Sequence, residues 1–492
     1  MLLLGIDVGT SSIKVSVADA QTQRCVASAQ YPETEAEIIS HQIGWAEQTS
    51  ETWWDYTQEA IRRVHATGTY NSKDIAAIGI AYQMHGLVVV DKNQIALRDA
   101  IIWCDSRAVP YGEKAFNAIG ADNCLSCLLN SPGNFTAAKL AWVKENEPEL
   151  FNKIDKIMLP GDFIAMKLTG NITTSASALS EGIFWDFKKD GLSKEVMQFF
   201  GYDEQIIPPV QNVFSVHGEL KENIADSLSL KKGIPVTYKA GDQPNNALSL
   251  NVLEPGEVAA TAGTSGVIYG VSDQLVYDRQ SRVNSFAHVN YTSQQKRIGV
   301  LLCINGTGIF NKWIKNLMGN ILSYAALNES ASYINVGSDG LVILPFGNGA
   351  ERMLNNKIVG SHIHNIDLNK HKAAHVYRAG QEGIAFAFRY GLDIMRENGM
   401  NPSVIRAGKS NMFLSNVFTE AFVNATNVPV ELYESDGSVG AALGAGIGAK
   451  IFSNPKEAFT KMKPLQLVKP VKAGEYDELY KKWKEYLRKE LE

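Results

Sequence analysis

Two short segments carry the residue types that hold a polyphosphate. The first is Gly5-Ile6-Asp7-Val8-Gly9-Thr10-Ser11-Ser12, followed by Ile13-Lys14-Val15. The second is Gly263-Thr264-Ser265-Gly266, set between Ala259-Ala260-Thr261-Ala262 and Val267-Ile268. Each reads as strand, tight turn, strand. Glycine lets the backbone come close to a ligand, and threonine or serine adds a hydroxyl beside exposed N–H groups. Thr10, Ser11, Ser12, Gly263 and Thr264 are therefore the candidate phosphate contacts. An ordinary hairpin turn is the competing reading of either segment alone. An acid lies near each: Asp7 inside the first, and Asp242 upstream of the second in Ala240-Gly241-Asp242-Gln243. One acid for a metal ion and one for a substrate proton is the minimum set for phosphoryl transfer.

Asp7 ends an apolar run two residues before Gly9. It either projects into a cleft and holds magnesium, directly or through water, or turns back onto the Gly9 and Thr10 amides. Asp242 follows a strand-like run over 234–239 and is the candidate acceptor of a hydroxyl proton; capping the helix-like stretch that follows is its bland alternative. His85, in Gln83-Met84-His85-Gly86 between two strand-like runs, has donors and acceptors for sugar hydroxyls. Trp103-Cys104-Asp105-Ser106-Arg107 follows another short strand. Alternation there would put Trp103, Asp105 and Arg107 on one side, the mix of apolar face and polar fork a sugar site needs. A surface Asp–Arg pair beside a core tryptophan competes with that. Lys14 would offset phosphate charge or simply stand in solvent.

The elements that must position these residues alternate between strand and helix. A helix is expected from Thr49 or Ser50 to His65, with strands over 75–80, 87–90 and 234–239. In the second half, helical spacing runs over 308–318 and 375–398. A strand and glycine turn over 404–410 precede a helix over 411–424, and a strand over 428–433 follows. Ser435-Asp436-Gly437-Ser438 opens a helix of small residues over 441–450, suited to close packing or to a flat ligand. The charged 475–492 reads as a solvated helix. Each half thus starts with a Gly-Thr-Ser hairpin and continues through β and α segments. A duplicated α/β domain with a cleft between the halves explains this pattern.

The chain has 492 residues, too many for one core. With 45% apolar and 20% charged residues it has the composition of a globular protein, which excludes disordered and fibrous classes. A net charge of −5 argues against a nucleic-acid partner held by a broad basic surface, and leaves room for a small anion such as ATP in a local nest of amides. The five cysteines, Cys25, Cys104, Cys124, Cys127 and Cys303, are odd in number and scattered, as expected in a reducing cytoplasm. Cys124-x-x-Cys127 lacks the second ligand pair of a zinc site. Neither a leader peptide nor a membrane span is expected, because Met1-Leu2-Leu3-Leu4 runs straight into Gly5 and no long apolar run occurs.

Taken together, these segments resemble the FGGY carbohydrate kinases. The resemblance includes Gly44-Trp45-Ala46-Glu47-Gln48 with Trp53-Trp54, then Gln83-Met84-His85-Gly86-Leu87-Val88. It continues through Leu159-Pro160-Gly161-Asp162-Phe163, Leu168-Thr169-Gly170, Gly241-Asp242 and Gly263-Thr264-Ser265-Gly266-Val267. It covers nearly the whole chain. It implies an α/β fold of two actin-like (ribonuclease H-like) ATPase domains with an interdomain cleft. Residues 1–246 would bind sugar and carry the base; residues 247–492 would bind nucleotide. It further implies transfer of the ATP γ-phosphate to a ketose hydroxyl, which in the xylulose-phosphorylating branch is the 5-hydroxyl. By the same resemblance Asp242 is the base, and Met84, His85, Trp103, Asp105 and Gln243 line the sugar pocket. Asp7 serves Mg2+, and Thr10, Ser11, Gly263 and Thr264 meet the phosphates. Gly408, Lys409, Asn411, Gly437 and Ser438 lie around the nucleotide. The family's partners are a small sugar and ATP, with neither nucleic acid nor membrane, and a homodimer is a common assembly. Departures at Ala407-Gly408, Gln243-Pro244-Asn245-Asn246 and Thr173–Ser177 bear on the sugar rather than the reaction. Gluconate and L-ribulose are the alternative substrates, and an actin-like switching ATPase is the non-enzyme alternative.

Overall fold

The computed structural model describes all residues from Met1 to Glu492. In the first half β1 (Leu2–Val8), β2 (Ile13–Asp19) and β3 (Arg24–Tyr31) precede α1 (Ser50–Ala66) and β4 (Ile75–Tyr82). After a long helical insertion that includes α2 (Ala176–Glu181) come β5 (Phe214–Glu219), β6 (Pro235–Gly241) and α3 (Asp242–Ser249). The strands form one sheet in the order β3-β2-β1-β4-β6-β5. β1 is antiparallel to β2 and parallel to β4, and β5 closes the edge antiparallel to β6.

The second half repeats this arrangement. It supplies β7 (Val258–Ala262), β8 (Gly266–Ser272), β9 (Asn284–Ala287), β10 (Ile298–Ile304) and α4 (Gly308–Leu317). A separate hairpin, β11 (Val342–Phe346) and β12 (Gly360–His364), leads to α5 (Ala373–Glu397). Then follow β13 (Ile405–Gly408), β14 (Val430–Tyr433), α6 (Gly437–Gly448), β15 (Gln466–Val468) and α7 (Ala473–Leu491). The sheet order is β9-β10-β8-β7-β13-β14-β15. Apart from the added edge strand β9, every neighbour and direction matches the first sheet, with β7 in the place of β1 and β14 in that of β6. The duplication suggested by the hairpins is therefore one of strand order and direction, although the edge strand precedes its partner in the first half (β5 before β6) and follows it in the second (β15 after β14).

The apolar run at the amino terminus follows from burial on both faces of β1. Leu2, Leu4, Ile6 and Val8 pack with Trp53, Trp54, Ile61 and Val64 of α1. Leu3, on the opposite face, packs with Ala441, Ala442 and Ala445 of α6. That helix belongs to the second half of the chain but lies on the sheet of the first. It approaches so closely that a methyl on Gly5 or Gly79, paired neighbours on β1 and β4, would collide with the Ser438 and Ala441 carbonyls. Gly444 lies on the Tyr238 ring and Gly448 on the Thr237 backbone. A single added methyl at such a contact costs about 1–3 kcal/mol. Close packing thus accounts for the small residues along this helix.

A second seam joins the halves at β9. The Asn130 amide brackets Ser285, donating to its carbonyl at 2.6 Å and accepting from its N–H at 3.0 Å. Ser177 donates to the Ala287 carbonyl at 2.7 Å, and Ser180 accepts from the Ala287 N–H at 2.9 Å. Side chains from the first half thereby satisfy the open edge of the second sheet.

Two expectations are corrected. The stretch over 411–424 is not one helix: a 3-10 turn at Asn411–Leu414 ends at Ser415, whose hydroxyl caps the helix Asn416–Thr426 through the Phe418 N–H. The C-terminal helix is not fully solvated. Tyr476, Tyr480, Trp483 and Leu487 form a buried stripe at helical spacing, and Trp483 Nε1 donates to the Ile343 carbonyl at 2.9 Å. Its high charge sits on the opposite face and masked the stripe. No helix is long and apolar enough to cross a membrane.

Candidate active site

The first sheet, with α6 laid across it, brings the ends of β1 and β6 together with the start of α6. Asp242 is the first residue of α3, directly after β6. Asn245, one turn along, donates to the Gly437 carbonyl at 2.8 Å and accepts from Tyr238 at 3.1 Å. Gly437 opens α6 and lies so near Asp7 that a methyl there would strike the carboxylate. Asp436 caps α6, accepting from the Ser438 N–H at 2.9 Å, and pairs with Lys14. Asp7 and Asp242 are partly exposed among buried neighbours, as groups facing a cleft. Burial, and then the charge of Asp436, raise Asp7 to about 6, with Lys14 pulling the other way. Burial, and then the charge of Asp7, raise Asp242 to about 7, against the Gln243 backbone and side chain. The two acids therefore feel each other.

The second hairpin reaches the same region through short contacts. Gly263 lies 3.6 Å, at the position of an added methyl, from the Asn411 amide, and Gly408 lies 3.4 Å from Ser435 on the same measure. Ser435 bonds Ser249 at the end of α3 at 3.0 Å. Gly263 and Thr264 present carbonyls to the Gly308 and Ile309 amides at 2.9 and 3.0 Å, so the turn rests on the N-terminus of α4. Lys409 does not join this group: its ammonium lies 3.3 Å from Gln466 on β15, and its N–H donates to the Tyr433 carbonyl.

At the first hairpin, the Gly9 N–H donates to the Ser12 carbonyl at 3.1 Å, closing the turn, and Ser11 is exposed. Thr10 Oγ1 donates to Gln83 at 3.2 Å and accepts from Trp103 Nε1 at 3.0 Å. Gln48 holds the Thr10 carbonyl at 2.8 Å and accepts from Gln83 at 3.1 Å. Gln48 and Gln83 belong to two of the recognised segments, and their work is to brace this turn.

His85 is held in an unusual backbone state, with φ of 61°. Three bonds hold it there. Its N–H donates to Glu181 Oε2 at 3.1 Å, its Nδ1 lies 3.0 Å from the Glu181 carbonyl, and its own carbonyl accepts from Lys139 at 2.7 Å. A carbonyl only accepts, so Nδ1 carries the proton and Nε2 is left as an acceptor. Burial, then the Lys139 charge, lower the ring to about 3, so it is neutral at working pH. Phe135 and Phe286 flank the ring at 4.7 and 5.3 Å, the latter from the second half. Met84 is buried against Gly241, with its sulfur 3.2 Å from where a methyl would lie.

Glu181 is the main residue the sequence reading missed. It accepts from Tyr82 at 2.9 Å as well as from His85, and burial pushes its carboxyl well above the ordinary range. Gly161 of the Leu159–Phe163 segment packs on the Tyr82 ring, so that motif positions Glu181 indirectly. Nothing in Ser180-Glu181-Gly182 marks an acid as important; only the contact does. Asp436 and Asn245 matter only through the contacts they make around Asp7, and Arg352, at the start of a short 3-10 turn, adds a positive charge that helps lower the His85 ring.

Trp103 and Asp105 separate. Trp103 is 52% exposed, but Asp105 is fully buried. Its oxygens accept from the Ala46 N–H at 2.6 Å, the Arg107 N–H at 2.8 Å and Arg107 Nε at 2.9 Å. Arg107 also meets Glu47 at 2.7 Å and stacks 3.8 Å over Trp45. The segment is a turn rather than a strand, so alternation does not apply, and Asp105 serves the scaffold. Cys124 is buried and Cys127 half-buried on one helical turn; burial raises the Cys124 thiol to about 12, and no third ligand converges there.

Comparison with known proteins identifies the family and the fold. The N-terminal domain model of the FGGY family of carbohydrate kinases matches residues 2–249, and the C-terminal domain model matches residues 258–449. The chain is 28% identical over 470 residues to the xylulose kinase of Escherichia coli K12, covering 94% of this chain and 92% of that protein. The crystal structure of xylulose kinase from Rhodospirillum rubrum superposes with a TM-score of 0.89 at 23% identity over 99% of both chains. Gluconate kinase from Lactobacillus acidophilus gives 0.89 at 21% identity, over 100% of this chain and 98% of that one. The chain belongs to the FGGY family of carbohydrate kinases, and it is a phosphotransferase of two-domain, actin-like α/β fold.

Proposed function

We propose that this kinase transfers the γ-phosphoryl group of ATP to D-xylulose, giving D-xylulose 5-phosphate and ADP in the cytoplasm. The observation that carries the reading is the placement of a partly exposed Asp242 at the start of α3, where burial and the charge of Asp7 raise its proton affinity. The sugar hydroxyl oxygen forms the new bond to phosphorus while the bond from phosphorus to the bridging oxygen breaks, and ADP leaves. Asp242 takes the hydroxyl proton as that bond forms. Its elevated proton affinity makes it a better acceptor than an exposed aspartate. His85 Nε2 accepts from a second hydroxyl, and Met84, Phe135 and Phe286 cover the carbon face. Gln243 steadies Asp242. The turns at Thr10–Ser12 and Gly263–Thr264 offer amides and hydroxyls to the phosphates.

Asp7 is the residue that would hold Mg2+. The donor set suits that ion: Asp7, Asp242 and Asp436 gather negative charge with Lys14 as the one neighbouring ammonium, and they do not converge into an all-protein cage. Bound there, Mg2+ would neutralise phosphate charge.

The positive charge of Arg352, felt at His85, favours one second reading, a sugar acid such as gluconate, whose carboxylate a guanidinium would meet. ADP release measured with D-xylulose, L-ribulose, D-gluconate and glycerol separates the two. The proposal expects kcat/KM for D-xylulose to exceed the others at least about tenfold. A preference for gluconate would replace it with the second reading.

A further inference from the structure

Three side chains that phosphoryl transfer does not use meet where α7 crosses the β11–β12 hairpin. His362 and His364 are alternate residues on one face of β12, opposite Leu344 and Val342. Glu490 lies in the last turn of α7. One donor atom from each lies within 4.8 Å of the other two.

Hydrogen bonding orients one of the two rings and leaves the facing nitrogen of the other without a partner. His362 Nε2 is 2.9 Å from the Val359 carbonyl, which only accepts, so the proton sits on Nε2 and Nδ1 bears a bare lone pair. That lone pair faces Glu490 Oε2 at 3.5 Å, acceptor against acceptor. His364 Nε2 is buried without a hydrogen-bond partner and stands 3.8 Å from Glu490 Oε1. The rings are held rather than loose: they stack at 5.8 Å with planes 9° apart, and Tyr486 covers His364 at 4.4 Å.

We infer that His362, His364 and Glu490 form a binding site for a divalent transition-metal ion of the zinc class, which clamps the last turn of α7 onto β12. Two imidazoles and a carboxylate suit that class, with water as the fourth ligand. A histidine that donates its outer N–H to a backbone carbonyl is oriented as metal-ligating histidines are. Bond lengths of about 2.0–2.1 Å in a tetrahedral site set ligand atoms roughly 3.3 Å apart. The two histidine–glutamate gaps of 3.5 and 3.8 Å need to close by only a few tenths of an ångström, and the imidazole nitrogens, within 4.8 Å of each other, converge by rotation of the rings.

The test uses the full chain without a histidine tag, freed of metal by chelator and dialysis. Zn2+ is titrated by calorimetry and Co2+ by visible absorption, with Mg2+ as comparator. The expected result is one Zn2+ equivalent and the intense visible bands of four-coordinate Co2+, with no comparable Mg2+ uptake. Affinity should fall at least about tenfold in His362→Gln, His364→Gln and Glu490→Gln, and stay unchanged in Cys127→Ser. Glu490→Gln, near the chain end, reports even where a histidine variant folds poorly. Equal Zn2+ uptake by the parent chain and Glu490→Gln, or no uptake by the parent chain, would overturn the proposal.

Discussion

The turn between β1 and β2 is braced by side chains, whereas its counterpart between β7 and β8 is braced by main chain. Thr10 sits in a web of Gln48, Gln83 and Trp103, and Asp7 abuts Gly437 across the junction of the halves. Gly263 and Thr264 rest on the amides of Gly308 and Ile309, and no acid stands in that turn. The strand order behind the two turns is the same. The repeated arrangement thus carries two similar turns, and only the first has an acid within it. The same contrast holds for the helices that follow the equivalent strands β6 and β14. Asp242 opens α3 unpaired, while Asp436 caps α6 and is tied to Lys14.

The largest expected effect separates those two acids. Asp242→Asn should lower kcat for sugar phosphorylation by about 10³–10⁴-fold while changing ATP affinity by less than about twofold, as measured by a coupled assay and calorimetry. Retained turnover would remove Asp242 from the base role. Next come two methyl insertions that challenge the turns separately. Gly437→Ala drives a methyl into Asp7 and should cut kcat by about 10²-fold. Gly308→Ala drives one into the Gly263 carbonyl and should raise the KM for ATP about tenfold with a smaller change in kcat. The reverse pattern would show that the second turn, not the first, carries the chemistry. Thr10→Val removes the bonds to Gln83 and Trp103 and should cost roughly 3–10-fold in kcat/KM.

The smallest effect is on stability, and its sign follows from linkage. Asp242 has a higher proton affinity folded, about 7, than unfolded, near the ordinary 3.8. Between those values the folded state binds more protons, so this group's contribution to stability falls as pH rises and is most unfavourable above about 7. Asp242→Asn should therefore raise the Tm by about 1–2 °C at pH 8 and leave it unchanged near pH 3. A lower Tm at pH 8 would argue that the carboxylate is stabilising.

The strand frame and both turns were legible because glycine, small hydroxyls and apolar runs are local signals. The role of Gln48 and Gln83 was not, because it depends on contacts from residues 35 positions apart. The same is true of Glu181, which bonds Tyr82 from 99 positions away. Asp105 misled for the opposite reason: Trp-Cys-Asp-Ser-Arg looks like a polar fork, yet Arg107 and the Ala46 amide consume it in the interior. The α7 stripe was hidden by its charged opposite face, although Tyr476, Tyr480, Trp483 and Leu487 have the spacing of a buried face.

The proposed mechanism requires Asp7 and Asp242 to share one pocket at the ends of β1 and β6, on either side of β4. Carboxyl-carbon NMR titration of ligand-free protein, with Asp242 assigned by its loss in Asp242→Asn, tests this directly. Asp242 should titrate at about 7, and its midpoint should move to lower pH in Asp7→Asn, because the charge that opposes its ionisation is gone. A midpoint near 4 in the parent chain, or one that does not move when Asp7 is neutralised, would contradict it.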